Sequence, residues 1–307
     1  MRKQLIISLL LFLPFVSIGQ TRKFDKLIEE FDVKEYLTDT VERNPANFWN
    51  AVWENNKALN KFIKAINKKK TTAINANRAV NEAMLIAEDY YYPQELGGDW
   101  KIVADTVLSR LGIKEVNPEM QLSIIYSDDF NAFVNPNAHI YMADTLFLTD
   151  SLCLNNIIGI AAHEVAHSLL FHAKLEAYAV EQKKQKNKIV AASVAALNAA
   201  ANAYAQANGA VTEESWESVH ELTYELFEAA EDDANNRYKF KYSREQEIEA
   251  DIIAFRFLEY MGIDVDYYIN ALRFIGKDRK ETLKADKKST HPTMRFRIEL
   301  LEYLKSR

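Results

Sequence analysis

Two histidines and one glutamate within an apolar stretch are the strongest candidates for a reactive site in this sequence. His163, Glu164 and His167 form the pattern His-Glu-x-x-His inside residues 157–171, which are otherwise almost entirely apolar. A run of this length is too long for a typical strand, so we predict a helix. Because residues four apart share a face of a helix, both imidazoles can reach one metal ion while Glu164 lies beside them.

The alternative interpretation of this motif is a chance order of two core histidines and a buried carboxylate. Burying three polar side chains on an apolar helix costs roughly several kcal/mol unless each has a partner, and a divalent cation satisfies all three together. Catalytic zinc commonly takes three protein ligands and keeps a fourth position for water. The motif therefore requires another His, Asp or Glu further along the chain.

A second predicted helix, opening at residues 243–255, offers the missing ligand. Glu247 and Asp251 lie one turn apart, so Glu247 can ligate the metal while Asp251 accepts the outer N–H of a ligand histidine. The alternative is a solvated acidic turn at the start of a helix. That alternative suits Glu245 and Glu249 better than Asp251, because apolar residues surround Asp251 in the sequence.

Two further histidines are not expected to bind the metal. His172 is one residue out of step with the metzincin pattern, in which a third histidine completes the zinc site. His139 falls in a predicted strand without another ligand at zinc spacing, so we expect an ordinary strand residue.

The motifs together resemble one family of zinc peptidases. They are similar to those of the HtpX, LoiP and BepA type of zinc metallopeptidase, a gluzincin group to which the CAAX prenyl endopeptidase is related. The resemblance covers roughly residues 100–307 and rests on four motifs in the family's order. These are Asn131-Ala132-Phe133, His163-Glu164-x-x-His167, Glu247-x-x-x-Asp251, and Ser289-Thr290-His291-Pro292 followed by Arg297-Ile298.

The resemblance implies roles for two of these motifs that the residues alone do not give. It implies that Asn131, Ala132 and Phe133 bind substrate, although the glycines usual after this string are missing here. It also places the catalytic candidate His291 at the cleft, where its imidazole would hydrogen-bond the developing oxyanion or occupy the open zinc position. The alternative for His291 is a surface histidine before a helix.

The predicted chemistry is that of a zinc metalloendopeptidase with one Zn²⁺ per chain. Zinc on His163, His167 and Glu247 would lower the pKa of its bound water to about 7 and polarise the scissile carbonyl. Glu164 would take the proton from that water and pass it to the leaving amine. The competing class is a non-catalytic, zinc-containing periplasmic chaperone or scaffold, which would have no need of Glu164.

The secondary structure around these residues is predicted to be mainly helical. An N-terminal helical region, residues 20–98, has amphipathic stretches at 26–36, 46–67 and 72–90 and carries no recognisable chemistry. Short strands are expected at 122–126 and 139–142, with 131–134 between them. We therefore predict a mainly α (α+β), zincin-like fold in which a small antiparallel sheet lies beside the metal helix, the predicted helix at residues 157–171. An exposed edge of that sheet could pair with an extended peptide.

The start of the chain has the pattern of a secretory signal peptide. Arg2 and Lys3 precede an apolar run at 5–16, and small residues before Gln20 allow cleavage after residue 19. An uncleaved anchor is the alternative, but the run is too short to span a bilayer. We expect an exported, periplasmic protein, and with the family resemblance this implies the quality control of envelope proteins.

The predicted peptidase domain, residues 99–307, contains an insert at 174–242. An Ala-rich run at 191–207 lies between a lysine-rich segment and an acidic one, which predicts a helical hairpin. A membrane segment is the rival interpretation, but Asn198, Asn202 and Gln206 form a polar stripe that soluble packing explains better. The hairpin is either a mobile lid over the zinc or a fixed helical layer.

Composition limits the classes of partner. The chain of 307 residues has a net charge of −6 with both signs spread along it, so no basic surface for nucleic acid is indicated. A hydrophobic fraction of 48% is ample for a core. Polypeptides are the expected substrates, a peripheral association with a membrane fits the same assignment, and the sequence leaves the oligomeric state open.

Overall fold

The computed structural model describes residues 18–37, 43–75, 78, 94–135, 138–175, 178, 182–188, 244–278 and 292–307. His291, nearly all of the predicted leader and most of the insert at 174–242 lie outside the described residues. The roles expected for them, and cleavage of the leader, stay predictions. Among the described helices, none has both the length and the apolar character needed to cross a membrane.

The described residues are mostly helical, which confirms the predicted fold class. The helices are α1 (Ile18–Phe31), α2 (Pro45–Asn55), α3 (Lys57–Lys68), α4 (Asp99–Leu111), α5 (Thr145–Leu148), α6 (Leu154–Leu169), α7 (Arg244–Met261), α8 (Asp266–Asp278) and α9 (Met294–Lys305). Single 3-10 turns occur at Lys34–Tyr36 and Ile113–Glu115, and the strands are β1 (Gln121–Ile125), β2 (Ala132–Val134) and β3 (His139–Ala143).

The sheet is mixed rather than antiparallel throughout. Its order is β1-β3-β2, with β2 antiparallel to β3 and β1 parallel to β3. β2 runs antiparallel along one edge of β3, and β1 lies along the other edge in the same direction as β3. The expectation of an antiparallel sheet is therefore wrong for β1, because sequence patterns predict strands but not which edge each strand will take.

Helix α6, which carries His163 and His167, lies at the centre of the described elements. It packs against α7, α8 and the sheet, and nearly all of its residues from Asn156 onward are buried. This agrees with a sequence that is apolar on every side of the helix. Two expectations for its surroundings are met by the chain order, since the sheet precedes α6 and the predicted second helix is α7.

The N-terminal helices share their core with the peptidase helices. The Trp49 side chain in α2 donates from Nε1 to the carbonyl of Leu111 at 2.7 Å and stacks on Phe257 of α7, with ring centroids 4.9 Å apart. The predicted helix at 46–67 is divided at Asn56, whose Oδ1 accepts from the Leu59 N–H and so caps α3. The domain boundary expected between residues 98 and 99 stays a prediction, and the contacts of Trp49 with Leu111 and Phe257 cross it.

Candidate metal centre

The crossing of α6 and α7 brings the three predicted ligands together. The Nε2 atoms of His163 and His167 are 3.1 Å apart. The Glu247 carboxylate approaches the same two atoms, with Oε2 3.8 Å from His163 Nε2 and Oε1 3.6 Å from His167 Nε2. One ligand atom from each residue lies within 4.8 Å of the others, and all three side chains are buried. Their assignment as ligands remains a prediction that this geometry supports.

Asp251 contacts the outer nitrogen of His163, Nδ1, as the spacing of Glu247 and Asp251 in the sequence suggested. Asp251 Oδ1 lies 3.0 Å from His163 Nδ1, and the Tyr268 hydroxyl lies 3.0 Å from the same nitrogen. Tyr268 also donates to Asp251 Oδ1 at 2.6 Å. Such contacts fix the ring orientation and leave Nε2 facing the metal position.

Arg297 completes this support from α9. Its guanidinium donates to both carboxylate oxygens of Asp251, at 2.7 Å from Nε and 2.6 Å from Nη2. Burial alone would raise the pKa of Asp251, but the Arg297 charge and the His163 hydrogen bond hold that pKa well below its ordinary value. Asp251 is therefore a carboxylate, which can accept an N–H from His163.

His167 has a different neighbour at its outer nitrogen. His172 Nδ1 lies 2.8 Å from His167 Nδ1, and both rings are buried. His172 is not one of the three side chains that meet at the metal position, which agrees with its predicted exclusion as a ligand. Nothing in the sequence indicated the contact between His172 and His167, because zinc-binding motifs specify only the ligands themselves.

Glu164 lines the same cavity as the three donors. The Val134 backbone N–H donates to its carboxylate. Burial, aided by the Glu247 charge, raises the pKa of Glu164 to about 7, although His163 acts in the opposite direction. A carboxyl group poised near neutrality is suited to accept and return a proton.

The cavity in front of the donors has a volume of about 340 Å³. The predicted substrate-binding residues Asn131, Ala132 and Phe133 line it, which places β2 beside the metal position. The remaining lining is largely apolar apart from the site residues. It consists of Phe130, Ile160, Leu272, Ile275 and Met294, together with His163, Glu164, His167, Glu247, Tyr268 and Arg297.

The donor set fits zinc. Two imidazoles and one carboxylate make a common ligand set of catalytic zinc, with one position left open. Each imidazole has a partner at Nδ1, so both Nε2 atoms are available at the point that Glu247 approaches. Tyr268 belongs to no motif of the sequence, and Arg297 stood out only as part of the His-Pro motif. They follow Asp251 by 17 and 46 residues, separations that no helical spacing connects.

A comparison with protein families agrees with this site. The model described as Peptidase family M48 matches residues 100–305. The chain belongs to peptidase family M48. Its resemblance to the HtpX type of zinc metallopeptidase is thereby confirmed. The matched residues include every ligand candidate as well as Glu164, Asp251 and His291.

Other comparisons add little to the M48 assignment. A comparison with curated proteins finds no match to this chain. Among solved structures, the crystal structure of S. mikatae Ste24p is similar, with a TM-score of 0.42 and 16% sequence identity. The similarity covers 92% of this chain and 61% of that chain, so this M48 chain corresponds to less than two thirds of the Ste24p chain.

Proposed function

We propose that this M48 peptidase is an exported zinc endopeptidase that hydrolyses internal bonds of polypeptides during quality control of envelope proteins. The catalytic role in this proposal rests on the position of Glu164, which lines the same cavity as His163, His167 and Glu247. A zinc site that only stabilises a fold needs no extra carboxylate beside an accessible cavity.

Each residue of the site has a role in this proposal. His163, His167 and Glu247 would hold one zinc ion, which when bound supplies a Lewis acid that polarises the scissile carbonyl and makes a water more acidic. Glu164 takes the proton of the attacking water at its carboxylate and delivers it to the leaving nitrogen. The Val134 N–H keeps that carboxylate oriented while the proton moves.

The edge of β2 that faces away from β3 provides a place for the substrate backbone beside Ala132. The bonds from Asn135 N to His139 O and from Ala143 N to Asn131 O flank the pair formed by Phe133 and Tyr141. Because alternate residues of an antiparallel strand face opposite edges, the backbone groups of Ala132 face away from β3. An extended peptide can pair with Ala132 while its scissile bond reaches the metal position.

This mode of binding supports unfolded or misassembled proteins as substrates. Pairing with a strand edge requires several extended residues, which a folded protein rarely offers. The apolar lining of the cavity favours an apolar side chain next to the cleaved bond. Location in the periplasm is supported by the leader pattern at residues 1–19, and peripheral contact with the membrane would bring the enzyme near envelope proteins.

The decisive experiment compares degradation of casein by the wild type and by Glu164→Gln, with and without a chelator. We expect Glu164→Gln to keep its zinc and lose about a hundredfold or more of activity, since an amide cannot accept the proton. Glu245→Gln makes the same chemical change at an exposed position of α7 and should keep full activity. Full activity in Glu164→Gln would exclude the mechanism, while a wild type that binds zinc but cleaves nothing would favour a chaperone or scaffold.

Export is tested separately. Expressed with its leader, the protein should appear in the periplasm with a new N-terminus at Gln20. A cytoplasmic protein that retains residues 1–19 would contradict export without affecting the peptidase mechanism.

A further inference from the structure

A chain of hydrogen bonds leads from His167 away from the cavity. It continues from His172, whose Nδ1 lies 2.8 Å from His167 Nδ1. His172 Nε2 lies 3.3 Å from Glu249 Oε2, and the other oxygen of Glu249 accepts from Asn56 Nδ2 at 2.7 Å. The chain thus starts at a metal ligand on α6 and ends at the junction of α2 and α3.

Burial shows that these contacts are structurally required. His172 is 0% exposed and Glu249 is 7% exposed. A carboxylate removed from water to this extent is destabilising unless it is hydrogen-bonded, and Glu249 is paired with His172 and Asn56. Glu249 was expected to be a solvated residue of an acidic first turn, and the structure corrects this because α2 packs against α7, and Asn56, which follows α2, contacts the carboxylate.

The end of α6 is shaped to return His172 to His167. Phe171 has a φ of 55°, a left-handed conformation that is uncommon outside glycine and costs about 1 kcal/mol or more. This conformation directly after the C-cap residue Leu170 ends the helical path of α6, so the backbone changes direction before His172. The Phe171 ring is fixed by an edge contact with Trp53, at a centroid distance of 5.3 Å.

From His167 through His172 to Glu249, each hydrogen bond can pair a donor with an acceptor. A metal at His167 Nε2 requires the proton of that ring to be at Nδ1, from which it can be donated to His172 Nδ1. His172 then carries its own proton on Nε2, facing the Glu249 carboxylate. Asn56 donates to the second oxygen of Glu249, so every donor in this series of hydrogen bonds faces an acceptor.

We propose that His172, Glu249 and Asn56 form a relay that positions His167 as a zinc ligand. His163 is oriented directly by a carboxylate, Asp251, whereas His167 is oriented by a carboxylate acting through a second imidazole. The relay also makes the N-terminal helices part of the support of the metal centre. This inference rests on the zinc site proposed above.

Two substitutions at His172 separate the hydrogen bond from the packing. The oxygen of His172→Asn can accept from His167 at the place of Nδ1, whereas His172→Leu fills a comparable volume without an acceptor. We expect His172→Leu to lower zinc affinity by about ten- to hundredfold and His172→Asn to recover most of it. Zinc affinity is measured by competition with a chromophoric chelator, and ligand geometry by the visible absorption of the Co²⁺-substituted protein.

Variants further along the relay keep the test decisive if His172→Leu does not fold. Asn56→Ser keeps an oxygen that can cap α3 but removes the amide that donates to Glu249. Asn56→Ser and Glu249→Gln should each reduce zinc affinity severalfold and alter the Co²⁺ spectrum. The exposed control Glu245→Gln should leave both unchanged.

The outcomes distinguish the relay from the zinc site. Wild-type affinity and spectra in His172→Leu, or in Asn56→Ser and Glu249→Gln, would overturn the relay while leaving the site intact. Equal losses in His172→Leu and His172→Asn would also overturn it, because packing rather than an acceptor would then be responsible. A wild type that binds no zinc would overturn the proposed site, and with it the relay.

Discussion

Gly159 of α6 lies against the side chain of Tyr268 of α8. A Cβ placed on Gly159 would be 2.8 Å from Tyr268 Cβ and 2.9 Å from Tyr268 Cδ2, which is too close for real atoms. The Tyr268 hydroxyl in turn contacts both Asp251 and the outer nitrogen of His163. The missing side chain at residue 159 therefore determines how closely α8 approaches the metal centre.

Gly159→Ala should lower both stability and zinc affinity. Alanine is a better helix former than glycine, but the new methyl group would push on Tyr268 Cβ, which cannot move without displacing α8. Overpacking of this kind typically costs about 1–3 kcal/mol. Gly97→Ala is the matched control, since nothing lies within 4 Å of a Cβ there. Chemical denaturation and chelator competition measure the two effects, and equal behaviour of the two variants would contradict the prediction.

Arg297→Ala should destabilise the fold far more than Arg295→Ala. Arg297 is the buried partner of Asp251, and removal of one member of a buried ion pair costs about 3–5 kcal/mol. Arg295 lies on the same helix but pairs with Glu299 at the surface, where such pairs contribute little. Denaturant unfolding of the two variants gives the comparison. A similar small effect in both would show that Asp251 does not depend on Arg297.

Glu247→Ala should abolish zinc binding as completely as His167→Ala. Each variant removes one of three protein ligands, and the two that remain hold zinc poorly. Glu245→Ala, an exposed change two residues earlier on α7, should retain about one zinc per chain. Metal analysis of the purified proteins after dialysis measures the content. Normal zinc in Glu247→Ala would mean that the third ligand is another residue.

Ala132→Pro should weaken cleavage without unfolding the protein. The Ala132 N–H faces away from β3, so proline removes a donor to the substrate but no bond of the sheet. We expect a higher KM for extended peptides, with zinc content and melting temperature close to those of the wild type. Phe133→Pro is the contrasting variant, because it removes a sheet hydrogen bond and should lower the melting temperature. Unchanged peptide kinetics in Ala132→Pro would exclude pairing of the substrate at this edge.

His291→Ala should lower kcat while zinc content is retained. The reason is the oxyanion role implied by the family resemblance, in which an imidazole donor stabilises the transition state. A gain in activity would instead support occupation of the open zinc position by His291, and unchanged kinetics would support a surface residue. Steady-state cleavage of a fluorogenic peptide measures the difference, with His139→Ala as a control for loss of a histidine outside the cavity lining.

The sequence alone was sufficient for the parts of the site that depend on local periodicity. The spacing of His163 and His167, and of Glu247 and Asp251, follows directly from one helical turn. The apolar runs around them predicted helices α6 and α7, because such runs have to be buried. The small sheet beside α6 was predicted for a similar reason, since alternation and turn residues are also local signals.

The groups that hold the ligands in place are set by the folded arrangement of the helices and could not be read from the sequence. Tyr268 and Arg297 reach His163 or Asp251 through the packing of α8 and α9, and no spacing in the sequence encodes those approaches. The contact of His172 with His167 depends on the left-handed conformation of Phe171 just after α6. The contact between Asn56 and Glu249 joins residues 193 positions apart. Likewise, the strand pattern predicted β1 but not its parallel pairing, because pairing depends on which edge of β3 is left uncovered once β2 has folded back.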